Sequence, residues 1–599
     1  MGYDYALVHL TWTIPPAVLM TAFYWPFFTQ YDYYKIGFLV TVAMISATPW
    51  DSYLIRNSIW TYPEDAIVGP TVFKIPMEEI FFFFIQTYNT SLIYSILTKR
   101  LVLPCYLRTS ATKISEAVGT IIISCGVIYG IAGFWAGGKH TYMSLILGWL
   151  CPLMLIPWIL SARFIVALPR KEIITAVLLP TIYLWIVDGI ALQRGTWVIE
   201  SGTKLNLALG ALDIEEAMFF LCTNLMIVIA LGAVDHGIAI AEYQIAATPR
   251  SKRDFPSFSE LFIIYLRERN GPFDQDFLRC VSDAVRTVAQ KSQTMYTGSA
   301  MFRGQLRIDL ILLYSFCRVM DDLVDDAPDA QTSRRAIRQC RIALHRQFTL
   351  TFPDNNPRLP PTKKGTAKSE AEAIKSIPPV LVTSTGLLPV SRLTIDPLLD
   401  LLDGFESDLA FTNDNATSPI KTESDLELYA YRVAGTVATS VLQLIISHYQ
   451  PQMSHQDTDR IIKAGSIMGE ALQYVNIARD IEEDASIGRV YIPGIWLKDE
   501  GLTHADILAD PQGKSIENLR ERMLRKADGC YRASFDAMNE LPSDIQGPLK
   551  TVVNCYMLIG QVLRENRAQG KIVHGRLKVP ISRRLRVAWS SMMEIDARQ

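Results

Sequence analysis

Seven apolar stretches follow one another in the first part of this chain, at roughly 6–28, 36–50, 75–97, 118–136, 142–160, 173–192 and 205–234. Most approach the ~20 residues a helix needs to cross the hydrocarbon of a bilayer, where backbone polar groups must be satisfied internally. One such stretch would serve equally as a buried core helix. Seven in succession, joined by short loops, point to a membrane-spanning helical half. Stretches one to three and five to seven are also copies of each other. Trp12 and Trp149, Pro15 and Pro152, Asp51 and Asp188, Trp60 and Trp197, Glu78 and Glu215, Glu79 and Glu216, Phe82 and Phe219, and Phe83 and Phe220 are each 137 residues apart. Identities of this kind at one offset imply a duplicated three-helix unit with the fourth stretch as connector. The repeats then run parallel, and a site is expected between them.

Charge is sparse before about residue 240 and dense after it, so a soluble half is expected to follow the membrane half. At 599 residues, two or more domains are expected. The reading is an all-α chain: a membrane domain at 1–240, a Pro-bearing linker at 241–257 and a helical domain at 258–599. Residues 353–395, rich in Pro, Ser, Thr and Lys without a helical period, read as an unstructured insertion. A net charge of -2 gives no electrostatic footprint for nucleic acid. Nine cysteines without a CxxC read as small hydrophobes in a reducing setting. The start of the chain has no basic region or cleavage site, so the first stretch is expected to be retained, and no apolar anchor closes the chain. Lys35, Lys99, Arg100, Arg108, Lys113, Arg163, Arg170 and Lys171 outnumber Arg56, Lys74, Lys139, Arg194 and Lys204 on the opposite loops. The positive-inside rule then puts the N-terminus outside or luminal and the second half in the cytosol, on an internal membrane.

In the second half, Tyr314, Arg318, Asp321 and Asp325 fall on one face of a helix, and Asp322 and Asp326 form a second acidic pair. Further on, Gln473, Asn476, Asp480 and Asp484 make one polar stripe opposite an apolar face. Solvated acidic faces would also look like this. Two DxxxD runs with apolar neighbours and nearby arginines better suit a hard divalent ion gripping a diphosphate. The region resembles the phytoene and squalene synthase family, and phytoene synthase more closely. Tyr314-x-x-Cys317-Arg318-x-x-Asp321-Asp322-x-x-Asp325 is similar to its first signature, and Gln473 to Asp484 to its second. Tyr429 to Gly435, the Arg489-Val-Tyr491-Ile-Pro493 segment and the stretch around Tyr296 resemble its other motifs. The resemblance implies condensation of two geranylgeranyl diphosphates to phytoene, with Asp321, Asp325, Asp480 and Asp484 holding Mg2+ or Mn2+. It further implies phosphate contacts from Arg318 and Arg489, substrate contacts from Gln473, Asn476, Tyr314 and Tyr296, and cation or proton handling by Tyr429 and Tyr491.

Charged groups within membrane helices are costly and default to function, which singles out Glu78, Glu79, Glu215, Glu216 and Asp188. Adjacent glutamates in an apolar site cannot both stay ionised cheaply, so one of each pair is expected to keep its proton and act as an acid on an alkene. A structural pairing or helix N-terminal charges would be the simpler account. Pro76-Met-Glu78-Glu79 resembles the P-x-E-E/D motif of the small membrane-embedded lycopene cyclases. That resemblance implies closure of lycopene ends to β-rings without flavin or NADPH. A separate phytoene desaturase would then act between the two steps, and the bilayer would hold the enzyme. The rivals are a squalene-synthase-like transferase and a seven-helix transporter or anchor. A retinal protein would want a lysine in the last stretch, and none occurs from Leu205 to Val234.

Overall fold

The computed structural model describes residues 2–63, 66–108, 113–247, 256–302, 304–352, 377–411, 418–449, 453–571 and 575–596. They form two compact units, Met1–Arg279 and Cys280–Gln599. Both are helical; the strands among the described residues are three short antiparallel pairs in the first unit.

Among the described residues, eight helices are long and apolar enough to cross a membrane, seven in the first unit and one, Glu423–Tyr449, in the second. The second helix runs Gln30–Arg56, longer than the apolar stretch inside it, because Thr29 caps it. The Thr29 hydroxyl accepts the Asp32 amide at 3.1 Å and Asp32 accepts the Thr29 amide at 2.8 Å. Lys35, counted above as a loop charge, is therefore inside that helix and buried. The seventh helix starts at Ile214, not 205. Before it comes a hairpin, Ala208–Leu209 against Leu212–Asp213, and the first repeat has the same hairpin at Thr71–Val72 against Ile75–Pro76. Its two-residue turn puts Phe73 and Lys74 at φ +54° and +72°, the left-handed values such turns demand. The repeats meet where Trp60 pairs with Ile199 and Thr61 with Val198.

The connector helix Lys113–Ala136 lies close against Thr141–Ala167 because glycines line its inner side. A Cβ at Gly130 would meet the backbone of Gly148, and one at Gly126 would meet the Cys151 sulfur. In lipid, where apolar burial drives no association, such close backbone packing is the main attraction between helices. Gly130→Val is therefore expected to cost about 1–3 kcal/mol through overpacking. Thermal inactivation of the purified protein in detergent checks this, with Gly37→Ala, which has open space, as the control.

In the second unit, helices Gly304–Asp325, Ala330–Thr351, Asp396–Asp408 and Thr436–Tyr449 share a core around Leu313, Phe316, Leu344, Leu402 and Leu444. Helix His455–Ser486 buries Ala471, Val475, Ala478 and Ile481 and leaves its polar stripe for the site. Of the stretch expected to lack structure, 353–376 lie outside the described residues, but Pro379–Gly386 is a helix. Leu381 and Leu388 anchor it in the core, a pull that Pro- and Thr-rich composition conceals. Of the expected linker, 241–247 complete helix Ile214–Ala247 and 248–255 lie outside the described residues. The following helix, Phe258–Glu268, packs within the first unit, with Leu261 against Ile238 and Ala241.

Candidate active sites

Helix Gly304–Asp325 carries Tyr314, Arg318 and Asp321, helix His455–Ser486 carries Gln473 and Asn476, and all five line one cavity of about 470 Å3. Tyr429 joins them, and the rest of the wall is largely apolar, including Phe302, Phe405, Val437 and Met468. Arg318 Nη1 donates to Asp321 at 2.8 Å, and its Nη2 reaches Asp322 at 2.6 Å. Arg489 Nη2 donates to Asp325 at 2.9 Å, while Arg479 holds Asp480 through two bonds of 2.6 and 2.5 Å. Burial, then the charge of Asp325, pushes Asp321 up to about 6; burial, then Asp480, pushes Asp484 up to about 7. Negative charge is crowded here beyond what the arginines neutralise.

Tyr429 and Tyr491 stack with ring centres 4.8 Å apart, and both hydroxyls donate to Asp408, at 3.4 and 3.0 Å. Asp408 lines the cavity, and burial pushes it up to about 7 against the pull of Arg489 and the tyrosine hydroxyls. Sequence reasoning missed it, since nothing in its own helix separates Asp408 from Asp400 or Asp403. Tyr296 does not line the cavity; its carbonyl accepts the Ser299 hydroxyl at 2.7 Å, and Met295 takes the wall position.

In the first unit the adjacent glutamates point to different partners. Glu78 accepts the Val68 amide at 2.7 Å, and Glu215 accepts the Leu205 amide at 2.6 Å, so each pins the loop ahead of its helix. Glu79 Oε2 accepts the hydroxyls of Tyr5 at 2.5 Å and Tyr62 at 2.6 Å, and Glu216 Oε1 accepts that of Tyr142 at 2.5 Å. Tyr5 and Tyr142 are themselves 137 residues apart, so the repeat offset could have found them. Asp51 and Asp188 are buried with no hydrogen-bond partner on either oxygen. A small cavity of about 20 Å3 brings Glu79 and Asp188 together among Tyr5, Trp60, Trp197 and Phe219.

The squalene/phytoene synthase family model matches residues 288–583, and the lycopene cyclase model matches twice, at 3–97 and 139–232, once on each repeat. Bifunctional lycopene cyclase/phytoene synthases from Arthroderma gypseum, Aspergillus oryzae and Gibberella fujikuroi are 47%, 42% and 43% identical. Each alignment covers 99% of this chain and 99–100% of the relative. The chain belongs to the bifunctional lycopene cyclase/phytoene synthases. A solved dehydrosqualene synthase is similar at 20% identity over 54% of this chain and 99% of its own, with a TM-score of 0.42.

In this lycopene cyclase/phytoene synthase each family match thus falls within its own unit. Among the described residues no three His, Cys, Asp or Glu side chains converge as a ready-made metal cage. The donor set at the synthase site is all carboxylate, and Asp321, Asp325 and Asp480 keep 35%, 44% and 16% of their side-chain surface exposed. Open, oxygen-only and over-negative, these residues fit a hard cation that keeps waters and takes further oxygens from a diphosphate.

Proposed function

We propose that the second unit binds two geranylgeranyl diphosphates with their apolar tails in the 470 Å3 cavity and their diphosphates at its acidic end. The observation that carries this is the division of that cavity into an apolar wall and a cluster of Asp321, Arg318, Gln473 and Asn476. Asp321, Asp325, Asp480 and Asp484 would hold Mg2+ or Mn2+, whose charge makes diphosphate a better leaving group. Arg318 and Arg489 suit phosphate oxygens, since a guanidinium fork matches them. The stacked Tyr429 and Tyr491, tied to Asp408, can orient and shield the allylic cation and take up its proton.

In the first unit, buried carboxyl groups at the repeat interface would protonate a terminal double bond of lycopene and recover a proton after ring closure. Product and substrate are isomers, so the step needs no redox partner. The seven apolar helices support a multi-pass membrane placement, and the loop charges favour the synthase unit in the cytosol, with an internal membrane as the proposed location. The desaturations between phytoene and lycopene fall to a separate desaturase.

The test uses two bacterial hosts, one supplying geranylgeranyl diphosphate and one supplying lycopene. Phytoene in the first and γ- or β-carotene in the second are expected. EDTA added to isolated membranes should abolish phytoene formation, with excess Mg2+ restoring it, and leave cyclisation at its untreated rate. Loss of both activities to the chelator would overturn the assignment of metal to one unit.

A further inference from the structure

The duplication invites the view that each repeat supplies one active glutamate, but the two repeats are not built alike around theirs. Beside Glu79 stand Tyr62, His9 and Thr13; 137 residues later the same positions hold Ile199, Ile146 and Leu150. Two hydroxyls, from Tyr5 and Tyr62, converge on one Glu79 oxygen, whereas Glu216 receives one and its other oxygen is buried without a partner. His9 closes the first arrangement from behind, with Nε2 3.0 Å from the Glu78 carbonyl and Nδ1 3.0 Å from the Thr13 hydroxyl. The cavity at the repeat interface is lined by Glu79 but not by Glu216, and by Asp188 but not by its equivalent Asp51. Asp188 is 2% exposed, and neither carboxylate oxygen has a hydrogen-bond partner.

We propose that the duplicated membrane unit works as one asymmetric acid–base site, in which Glu79 of the first repeat delivers a proton and Asp188 of the second takes one back. Glu216 and Asp51 then belong to the frame. The proposal rests on the cyclase reading above and assigns its roles. With Glu79 carrying its proton, the oxygen that accepts two O–H bonds is the carbonyl oxygen, so the Tyr5 and Tyr62 hydroxyls leave the acidic proton on Glu79 Oε1. That proton adds to the terminal trisubstituted alkene of lycopene, whose π electrons form the new C–H bond. The tertiary cation is attacked by the next double bond, closing a six-membered ring and moving the charge to a ring carbon. Asp188 removes a proton from the neighbouring ring carbon, and the C–H electrons restore a double bond. One proton enters and one leaves; its return from Asp188 to Glu79 through the shared cavity resets the site. Trp60, Trp197, Phe82 and Phe219 line that cavity and offer π faces to the cation. At about 20 Å3 it has room for roughly one water, so the isoprenoid end enters by displacing these rings.

The test assays the full-length chain in lycopene-bearing membranes, with phytoene formation by the same preparation reporting the amount of intact enzyme. Glu79→Gln and Asp188→Asn are expected to lower cyclisation by at least about 100-fold, the lower range for losing a general acid or base. Glu216→Gln and Asp51→Asn should stay within about threefold of the parent on this assignment. Tyr5→Phe should lower the rate at saturating lycopene about tenfold with an unchanged half-saturating concentration, while Tyr142→Phe changes neither, on the scale of one lost catalytic hydrogen bond. This tyrosine pair decides the matter should a carboxyl variant fail to fold. Equal losses in Glu79→Gln and Glu216→Gln, or in Tyr5→Phe and Tyr142→Phe, would overturn the asymmetry. Failure of the cyclase reading itself looks different: the parent chain would close no ring in lycopene-bearing membranes while the same preparation still forms phytoene.

Discussion

Asp321→Asn should lower phytoene formation by about 10²–10³-fold, the range for losing one group that stabilises charge at a reacting centre. The amide keeps the shape of the carboxylate and can still face Arg318, so the core around Phe316 and Met320 has no reason to move. What it removes is one of the negative charges that a divalent ion on diphosphate would meet. Asp480→Asn should behave alike, because Asp480 stands on the opposite helix and Arg479 holds it in place. Labelled geranylgeranyl diphosphate gives the synthase rate, and added lycopene gives the cyclase rate of the same membranes. Cyclisation should be unchanged, since the cyclase carboxyls lie in the other compact unit. Phytoene formation above about a tenth of the parent rate would show that Asp321 is dispensable and that the acidic stripes serve another purpose.

Lys35→Met should cost about 3–5 kcal/mol, the penalty for leaving a buried charge without its partner. Lys35 Nζ lies 3.1 Å from Asp235 and 3.7 Å from Asp32, and all three are nearly inaccessible. Lys99, 3.5 Å from Asp32, can still serve that carboxylate, but Asp235 would keep only the Tyr94 hydroxyl at 2.8 Å. Water cannot make up the loss within an apolar helical bundle. The pair joins helix Gln30–Arg56 of the first repeat to helix Ile214–Ala247 of the second, so its loss should loosen the repeat interface. The measurement is the temperature at which half the cyclase activity survives brief heating in detergent. Lys35→Met with Asp235→Leu should recover much of the stability, because an apolar pair is no worse than a buried ion pair once neither charge is stranded. A Lys35→Met protein as heat-resistant as the parent would show that the pair contributes nothing.

The helical architecture, the duplicated spacing and the shared helix faces of the candidate residues were legible in the sequence. Each of these is written in local periodicity or in a constant offset. Asp321 and Asp325 share a helix face because a helix turns every 3.6 residues, and Glu79 and Glu216 are equivalent because a unit was copied. Only the tertiary structure decided what stands opposite those faces. It turned Glu78 to the Val68 amide and Glu79 to Tyr5 and Tyr62, although the two glutamates are chain neighbours. It brought Asp408 to Tyr429, 21 residues on, and to Tyr491, 83 residues on, gave the Pro-rich stretch a helix around Leu381, and put an apolar helix as long as a membrane span inside the synthase unit. It also set Asp188, and not Asp51, against the cavity with Glu79. The reason is physical: a residue's own helix settles which way it faces. What it meets there depends on packing between elements far apart in the chain, and no local pattern encodes that contact.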